Sequence, residues 1–342
     1  MFATAPAIAQ APIAAYTFEA GSGSLVADVS GNGHDGAVAG TATWSTGIPS
    51  QCAASGGMRF LAVNDGVTVP DAPQLHATSA FTVGAWAKVA PAATSSPRAL
   101  VGKRLGTGFD NSFILLVRSD GRARFIASNG TTAVFVEIAG PVVTDDVWHH
   151  FAGTLVAGQI RLYVDGALAA TAPLPGGIGY DTNPITLGND INNGAFSEPL
   201  IGLLDEVRIY DVGFGPALVA ALYAASERAI VTPRTGSGVN PTLLGSATRP
   251  VLGASWNTTI ALPSGGVSLL GLAPMAIGPT PTPLGELLVG PIVDILVGTG
   301  SHAFAIPGNC ALVGYEFSAQ GARWDGAGLV LGNALDLRVG SF

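Results

Sequence analysis

The sequence predicts an all-β protein with two antiparallel β-sandwich domains, a larger one followed by a smaller one. Its 342 residues are enough for two ordinary domains. Hydrophobic residues make up 48% and charged residues only 11%, whereas a disordered chain needs the opposite balance. The 47 Gly and 23 Pro are scattered without a collagen period, which is typical of short strands joined by tight turns.

Short apolar segments separated by turn residues predict the strands of the first sandwich. The clearest segments are residues 81–89, 112–119, 123–128, 149–155 and 159–164. Asp120-Gly121 and Asp165-Gly166 adjoin such segments, and Asp-Gly is typical of two-residue hairpin turns. Because turns rather than helices separate the strands, the pattern favours two packed antiparallel sheets. Residues 215–226 are the exception, since a Pro followed by Ala and Leu predicts one helix closing this domain.

Composition divides the chain into four predicted parts, which are an apolar arm (1–13), a first domain (14–226), a linker (227–238) and a second domain (239–342). After the linker, Gly, Leu and Pro become denser and charged residues almost vanish until Glu286. Six short strand candidates then predict a smaller β-sandwich. They are residues 258–262, 267–272, 292–297, 303–306, 315–319 and 334–339.

The N-terminus and the cysteines bear on cellular location. Ala7-Ile8-Ala9 before Gln10 resembles the small-x-small end of a signal peptide, so we expect export to the bacterial surface or medium. The alternative is a Pro/Ala-rich arm that leads into the first strand. Cys52 and Cys310 fall in different predicted domains; two buried free thiols are the favoured interpretation, and a disulfide is the alternative left open.

Charge and hydropathy argue against two classes of partner. The net charge is -8, and the 15 Lys and Arg form no run, so the basic face of a nucleic-acid binder is missing. No apolar stretch reaches the length of a membrane span. The best candidate, residues 284–297, is broken by Gly290-Pro291 and carries Glu286 and Asp294.

Catalytic motifs are also missing, so we expect a protein that is not an enzyme. The sequence has no Gly-x-Ser-x-Gly elbow, no His-Glu-x-x-His and no phosphate-binding loop with Lys. Asp205 and Glu206 are adjacent on a predicted strand and therefore face opposite sides, unlike the paired carboxylates of a glycosidase.

Three sets of motifs occur along the first domain in the order found in laminin-G-type jelly rolls. They are Tyr16-Thr17-Phe18-Glu19 with Asp28-Val29-Ser30-Gly31-Asn32-Gly33-His34-Asp35-Gly36, Trp148-His149-His150-Phe151-Ala152 with Leu162-Tyr163-Val164-Asp165-Gly166, and Gly202-Leu203-Leu204-Asp205-Glu206-Val207-Arg208-Ile209-Tyr210. The domain therefore resembles the laminin-G/concanavalin-A-like (pentraxin-type) jelly roll. The resemblance implies a sandwich whose chain ends pair and a secreted, lectin-like recognition function.

The second domain resembles a small C-terminal β domain of secreted planctomycete proteins. The matching residues are Gly253-Ala254-Ser255-Trp256, Ala305-Ile306-Pro307-Gly308-Asn309, Tyr315-Glu316-Phe317-Ser318-Ala319-Gln320-Gly321 and Leu335-Asp336-Leu337-Arg338-Val339-Gly340. That resemblance implies location outside the cell more than it implies an activity.

A structural calcium ion is the first candidate site. Calcium prefers six to eight oxygen ligands, and the loop 28–36 is rich in them. Because the resemblance implies paired chain ends, we expect Asp28 and Asp205 as side-chain ligands, Asn32 through its carbonyl, and Glu19 as a further ligand. The alternative is an Asx-turn in which Asp28 and Asn32 bond their own backbone.

A glycan site is the second candidate. Residues 180–196 are the richest in side chains that suit sugar hydroxyls, and ordinary turns are the alternative. The expected ligand-binding residues are Asp181, Asn183, Asp190, Asn192 and Asn193. By contrast, His149 and His150 are neighbours on a predicted strand and so make a poor metal pair, and Trp86 and Trp148 are expected in the core.

The leading hypothesis is therefore a secreted, non-catalytic recognition module that binds extracellular glycan or protein and is stabilised by calcium. The alternative is a self-assembling fibre or surface-layer subunit that binds copies of itself. Low charge, positive mean hydropathy and the apolar arm favour this alternative, since such an arm can add a strand to a neighbour.

Overall fold

The computed structural model describes most of the chain, which forms two compact units. The first unit comprises residues 1–48 and 54–225, and the second comprises residues 49–53 and 226–342. The residues described are 10–48, 52, 55–91, 96–107, 110–130, 135–225, 229–324, 326 and 328–341. Apart from the helix α1 (Pro216–Ala225) and two short 3-10 turns, their regular structure is β-strand, which confirms the predicted all-β class.

Strands β1 to β18 belong to the first unit. Their bounds are β1 Ala14–Tyr16, β2 Leu25–Val26, β3 Gly36–Ala39, β4 Thr43–Thr46, β5 Gly56–Phe60, β6 Gly66–Val69, β7 Phe81–Val89, β8 Arg98–Arg104, β9 Asn111–Val117, β10 Arg122–Ser128, β11 Phe135–Val142, β12 Trp148–Val156, β13 Gln159–Val164, β14 Ala167–Pro173, β15 Ile185–Leu187, β16 Ile191–Asn192, β17 Ala195–Phe196 and β18 Gly202–Tyr210. A 3-10 turn, Pro73–Leu75, lies between β6 and β7.

These strands form two antiparallel sheets that enclose one apolar core. Sheet I has the order β14-β13-β12-β7-β18-β5-β4, with β1 also pairing with β18, and sheet II has the order β11-β10-β9-β8-β15-β6-β3-β2. Phe81 and Phe151 of sheet I and Phe113 and Phe125 of sheet II are fully buried between them. The two ends of the domain pair as the resemblance implied, with Tyr16 opposite Val207.

Local signals in the sequence explain the turns and the helix. Asp165 and Gly166 have φ of 51° and 77°, as the predicted two-residue hairpin turn requires. Helix α1 begins at Pro216 and covers the outer side of sheet I, where Tyr223 stacks 5.7 Å from Trp86. Trp86 and Trp148 are buried, as predicted.

Strands β19 to β28 belong to the second unit. Their bounds are β19 Ile230–Arg234, β20 Leu244–Ser246, β21 Ser255–Ile260, β22 Val267–Ala273, β23 Ala276–Thr282, β24 Gly285–Val289, β25 Asp294–Gly298, β26 Ser301–Ala305, β27 Glu316–Trp324 and β28 Leu329–Arg338. Sheet III has the order β19-β28-β27-β22-β25, sheet IV the order β20-β21-β26, and β23 pairs with β24 in a separate hairpin. Fully buried Trp256 lies in the apolar core of this unit.

Two predictions differ from the structure in this unit. Residues 230–234, placed in the linker, form strand β19, because their backbone pairs with the last strand β28. The favoured free-thiol interpretation is wrong, because Cys52 and Cys310 form a disulfide. Both cysteines belong to the second unit, so the predicted assignment of Cys52 to the first domain also differs.

Two further observations concern the predicted N-terminal arm and membrane-spanning helices. The predicted arm, residues 1–13, lies mostly outside the described residues, which start at Gln10. Within the described ranges, no helix has the length and apolar character needed to cross a membrane.

Candidate functional site

The outer face of sheet II, turned away from the core, combines an apolar floor with charged side chains. Phe113 and Leu115 of β9 point into the core, so their neighbours Ile114 and Leu116 point outward, where they form an apolar cluster with Ala99 and Ile126. The segment that follows β15 folds back over this face. It therefore places polar groups over an apolar cluster that is itself buried.

Four polar residues, which we name the Arg104 cluster, join that segment to strands β8 and β9. They are Arg104, Asn111, Asp190 and Asn192. The Asn111 side-chain amide donates to Asp190 Oδ2 at 3.1 Å, and Arg104 Nη1 lies 3.4 Å from the same oxygen. Arg104 Nη2 reaches Asn192 Oδ1 at 3.4 Å. Arg104 and Asn111 face each other across β8 and β9, so the sheet register brings these groups together.

Several buried polar atoms here have no hydrogen-bond partner among the residues that the structure describes. They are Arg104 Nε, Ser112 Oγ, Asp190 Oδ1 and Ser197 Oγ. Buried polar groups in folded proteins are almost always bonded, so each exception calls for a further partner such as water or ligand. Four exceptions on neighbouring residues therefore mark this place as a candidate binding site.

Glu198 provides a partly exposed acid next to the Arg104 cluster. Its backbone carbonyl accepts from Ala99 N at 3.0 Å, which ties it to β8, while its side chain makes no hydrogen bond among the described residues. Burial raises the pKa of Glu198 to about 7, the neighbouring charge of Asp190 adds to this, and Arg118 and Arg104 oppose it. Burial also raises the pKa of Asp190, despite Asn111 and Arg104. Burial therefore favours the protonated form of a carboxyl at this site.

Ion pairs form one border of the site. Glu137 of β11 accepts from Arg118 at 3.0 and 2.8 Å and from Arg124 Nε at 3.1 Å. The Arg118 side chain is 36% exposed and that of Glu137 is 29% exposed, so both lie within reach of a ligand. The border thus presents guanidinium donors next to carboxylate acceptors.

Asn189 positions the segment and was not among the expected ligands. Its side-chain oxygen accepts from the N–H groups of Asp190 and Glu198, both at 2.8 Å. Its amide donates to the carbonyls of Val63 and Asp65 at 2.8 and 2.7 Å. All four bonds of one fully buried side chain therefore close the base of the segment 190–197.

The predicted glycan residues divide between two places. Asp190 and Asn192 belong to the Arg104 cluster, whereas Asn193 lies in the exposed turn of the β16–β17 hairpin, with φ of 50°. Asp181 and Asn183 bond each other and the backbone of Gly106, and the Asn183 carbonyl accepts from Lys103 Nζ. The two groups share no hydrogen bond in the described chain, and strand β15 separates them in sequence, so a single glycan site formed by all five residues stays a prediction.

The sequence analysis also missed Arg104, Asn111, Arg118 and Glu198. The first three lie on or next to β8 and β9, far from the segment 180–196 in sequence, and only the sheet brings them to it. A single signal was available, since a charged residue at the end of an apolar strand, as Arg104 is, calls for a partner.

The Asp28 loop is saturated with hydrogen bonds. Asp28 Oδ1 accepts from the N–H groups of Ala15 and Ser30, both at 2.9 Å, and Oδ2 accepts from Ser30 Oγ at 2.8 Å and His34 N at 3.0 Å. Burial works to raise the pKa of Asp28, but the bonds from Ser30, Ala15 and His34 outweigh it and the pKa is lowered. The Ser30 bond is the Asx-turn of the alternative interpretation.

The other expected calcium ligands bond elsewhere. Asp205 is fully buried and accepts from Ile48 N at 2.9 Å and Ser55 Oγ at 3.1 Å, and Glu19 accepts from Gly56 N at 3.0 Å. The Asn32 amide donates to the carbonyls of Pro12 and Ile13. Asp28 and Asp205 share no hydrogen-bond partner in the described chain, and the calcium site stays a prediction. No group of three or more His, Cys, Asp or Glu suited to a metal is found among the described residues.

His149 and His150 separate as predicted. His149 lies between two carboxylates, with Nδ1 2.9 Å from Asp165 and Nε2 3.1 Å from Asp145, and these partners raise its pKa although burial works against them. His150 is buried against Trp86, with ring centroids 5.5 Å apart. The two rings therefore have separate surroundings.

Comparison with known proteins identifies the fold of the first unit. Residues 61–220 match the model of a laminin-G-type family described as the concanavalin A-like lectin/glucanases superfamily. This match confirms the resemblance stated for the first domain, while the planctomycete resemblance of the second domain stays a prediction. Among curated proteins, none matches the sequence.

Two solved structures have a similar fold. The botulinum neurotoxin serotype D binding domain is 10% identical with a TM-score of 0.51, over 95% of this chain and 92% of that chain. The binding domain of Paraclostridial Mosquitocidal Protein 1 is 15% identical with a TM-score of 0.50, over 73% of this chain. This chain spans 63% of the length of the latter. At such identities the likeness shows the fold alone.

Proposed function

We propose that the first domain is a non-catalytic carbohydrate-binding module, and that the sugar binds on the outer face of sheet II beside the Arg104 cluster. The observation that carries this proposal is the group of accessible donors and acceptors on Arg118, Glu137, Asn192 and Glu198, beside the buried and partly unbonded Arg104 and Asp190. Sugar hydroxyls both donate and accept hydrogen bonds. They therefore match a face that mixes guanidinium donors with carboxylate and amide acceptors.

The accessible part of the site suits a sugar ring. Glu198, Asn192 and Arg118 are partly exposed and offer an acceptor, an amide and a donor. Phe196 is also partly exposed, and its ring covers Gly66 on the same face. An aromatic ring beside polar groups supplies apolar contact for the C–H face of a sugar.

Burial supports binding over catalysis. Glycosidases need two carboxyls that both reach the scissile bond. Asp190 is only 3% exposed, and Asn111 and Arg104 hold its Oδ2. Glu198 is thus left as the accessible acid of the pair. The solved structures with TM-scores of 0.50 and 0.51 are binding domains, which agrees with this proposal.

We also propose that the protein works outside the cell. The chain has two cysteines, and both are in the disulfide Cys52–Cys310. Disulfides persist in oxidising compartments and are rare in the cytosol. A thiol assay on denatured protein from the culture medium is expected to detect no free thiol before reduction. Free thiols in the secreted protein, or its retention in the cytosol, would contradict this proposal.

A glycan array followed by calorimetry tests the binding proposal. We expect the purified protein to bind at least one glycan class, and Glu198→Gln and Arg104→Ala to weaken that binding about tenfold or more, the loss of one or two hydrogen bonds to charged groups. Asp181→Asn is the matched control, because Asp181 bonds Gly106 and Asn183 and shares no hydrogen bond with the Arg104 cluster in the described chain.

Two results would reject the proposed site or its non-catalytic character. Binding that Glu198→Gln and Arg104→Ala leave intact, while Asp181→Asn abolishes it, would move the site to the other loop. Release of new reducing ends from the bound glycan would show an enzyme. An empty array would remove the carbohydrate proposal.

A further inference from the structure

The second unit exposes a row of large apolar side chains at one edge of sheet III. Ile292, Val293, Ile295 and Val297 are 42%, 70%, 52% and 67% exposed. Ile295 and Val297 lie on β25, which pairs with β22 on one side and ends the sheet on the other. We name β25 with these residues the apolar edge. Its outward backbone groups pair with no other strand of the part of the chain described.

The two edges of sheet III differ in how they meet solvent. The opposite edge strand, β19, contains Pro233, which has no N–H to offer, and ends in Arg234. Such residues keep an edge from pairing with another strand. The apolar edge has no proline, and its one charged residue, Asp294, lies at the start of the strand, where its Oδ1 accepts from Ile295 N at 2.8 Å. Because every residue of β25 retains a backbone N–H, this edge is the better suited of the two to extend the sheet.

The exposed apolar surface continues from this edge across the sheet. Leu269 of β22 lies between Val297 and Ala322, and Val267 lies next to Trp324, which is 50% exposed. Paired residues share a face, and the core residue Leu270 points the other way, so these side chains are on the outer face. The surface is thus wider than one strand and carries no charge along this row.

We propose that a second copy of this chain occupies the apolar edge, by antiparallel pairing of β25 with β25 about a two-fold axis. Full overlap of the five-residue strand places Leu296 on the axis. Ile295 then lies opposite Val297 of the other copy, so two apolar pairs form. Asp294 lies opposite Gly298, so the two carboxylates do not face each other.

The chemistry of the edge points to this occupant. The backbone N–H and C=O groups of an edge strand require an extended partner, and the uncharged residues 295–297 require an apolar one. A second β25 satisfies both requirements and keeps the two Asp294 carboxylates apart. Because two-fold pairing uses the β25 edge of each copy, no free β25 edge is left, and the product is a closed dimer rather than a fibre. Paired copies would present two first domains, which raises avidity for a repeated glycan.

Charge placed on opposing positions tests the pairing and its register. We expect wild-type protein to sediment at twice the mass of one chain and Val297→Lys to sediment as one chain. The double variant Ile295→Glu/Val297→Lys is expected to regain the dimer at low salt, because the carboxylate introduced at position 295 then faces the ammonium introduced at position 297 of the other copy. Ile295→Lys/Val297→Lys has the same number of changes but stays monomeric.

Val239→Lys provides the surface control. Val239 is 68% exposed in the same unit but lies outside sheet III, so this variant is expected to dimerise. Far-UV circular dichroism checks that each variant is folded. A monomeric wild type throughout a concentration series, or a dimer that Val297→Lys leaves intact, would overturn the proposal. Failure of the double variant to dimerise while wild type does would overturn the register.

Discussion

The Asp28 loop and the Arg104 cluster are both polar parts of the first unit, but they satisfy their hydrogen bonds differently. In the loop, one carboxylate accepts four bonds from Ala15, Ser30 and His34. In the cluster, polar atoms of Arg104 and Asp190 have no partner in the described chain. Polar groups that are fully bonded by the protein hold its structure, whereas unbonded ones call for a further partner such as water or a ligand.

The largest expected effect is on stability, from Asp28→Ala. This change leaves N–H groups of Ala15 and His34 without their acceptor, so we expect unfolding to become easier by about 2–4 kcal/mol. Asn32→Ala is the matched control, because its exposed amide bonds two carbonyls that solvent can reach, and about 1 kcal/mol or less is expected. Urea denaturation measures both.

The same variants check the calcium prediction. If calcium raises the melting temperature of wild type but not of Asp28→Ala, the loop is a ligand site and the contrast with the Arg104 cluster fails. If neither calcium nor a chelator changes the melting temperature, the Asx-turn interpretation is supported without a calcium ion.

The next largest effect is expected from Asn189→Ala. Four buried hydrogen bonds are lost, so we expect about 2–3 kcal/mol of destabilisation and loss of glycan binding. Asn183→Ala removes amide bonds to Gly106 and Asp181 at the other loop and is expected to leave binding unchanged. Calorimetric titration with glycan below the melting temperature of each variant separates the loss of binding from the loss of stability. Normal binding by folded Asn189→Ala would contradict the positioning role.

Stability is expected to fall as pH rises toward neutrality. Burial raises the pKa values of Glu198 and Asp205 to about 7, so the folded protein holds protons that the unfolded chain releases. Between the ordinary carboxyl pKa and about 7, raising the pH therefore favours unfolding. Glu198→Gln is expected to remove about 1–2 kcal/mol of this loss, allowing for its partial exposure. Denaturation at about pH 5 and about pH 8 measures it. If Glu198→Gln leaves the pH dependence of the unfolding free energy unchanged, the Glu198 carboxyl is solvated and burial does not raise its pKa.

The pH dependence of stability contributed by Asp28 has the opposite sign to that of Glu198, which makes the two regions easier to tell apart. Its pKa is lowered, so its contribution is present above the ordinary pKa of Asp and is lost as pH falls below it. Lowering the pH should therefore destabilise the Asp28 loop, whereas protonation of Glu198 removes the free-energy cost of burying its charge. Hydrogen exchange of His34 N and Ala15 N across the acid range follows the loop directly.

The smallest effect compares two serines. Ser112 Oγ is fully buried and unbonded among the described residues, so Ser112→Ala is expected to be neutral or to stabilise by up to about 1 kcal/mol. Ser30 Oγ donates to Asp28, so Ser30→Ala is expected to cost about 1 kcal/mol. If Ser112→Ala destabilises more than Ser30→Ala, the protein itself already satisfies the polar groups beside the Arg104 cluster.

The sequence predicted much of the first fold but only part of the site. Apolar alternation and Asp165-Gly166 predicted strands and turns, because both depend on neighbouring residues. Asp190 and Asn192 were predicted as ligands because amides and acids concentrate in their segment. Arg104 and Glu198 were missed, since their contacts depend on which strands are adjacent. The linker was predicted partly wrongly for the same reason, as β19 forms only against β28.

Periodicity, turn residues and composition were sufficient to specify an all-β protein with a closing helix. Only the folded arrangement of the strands established that Cys52 bonds Cys310, that Asp28 and Asp205 hold separate segments, and that Asp190 meets Arg104. The physical reason is range. Backbone preferences act over a few residues, whereas hydrogen bonds and disulfides join groups that only strand order and register bring within reach.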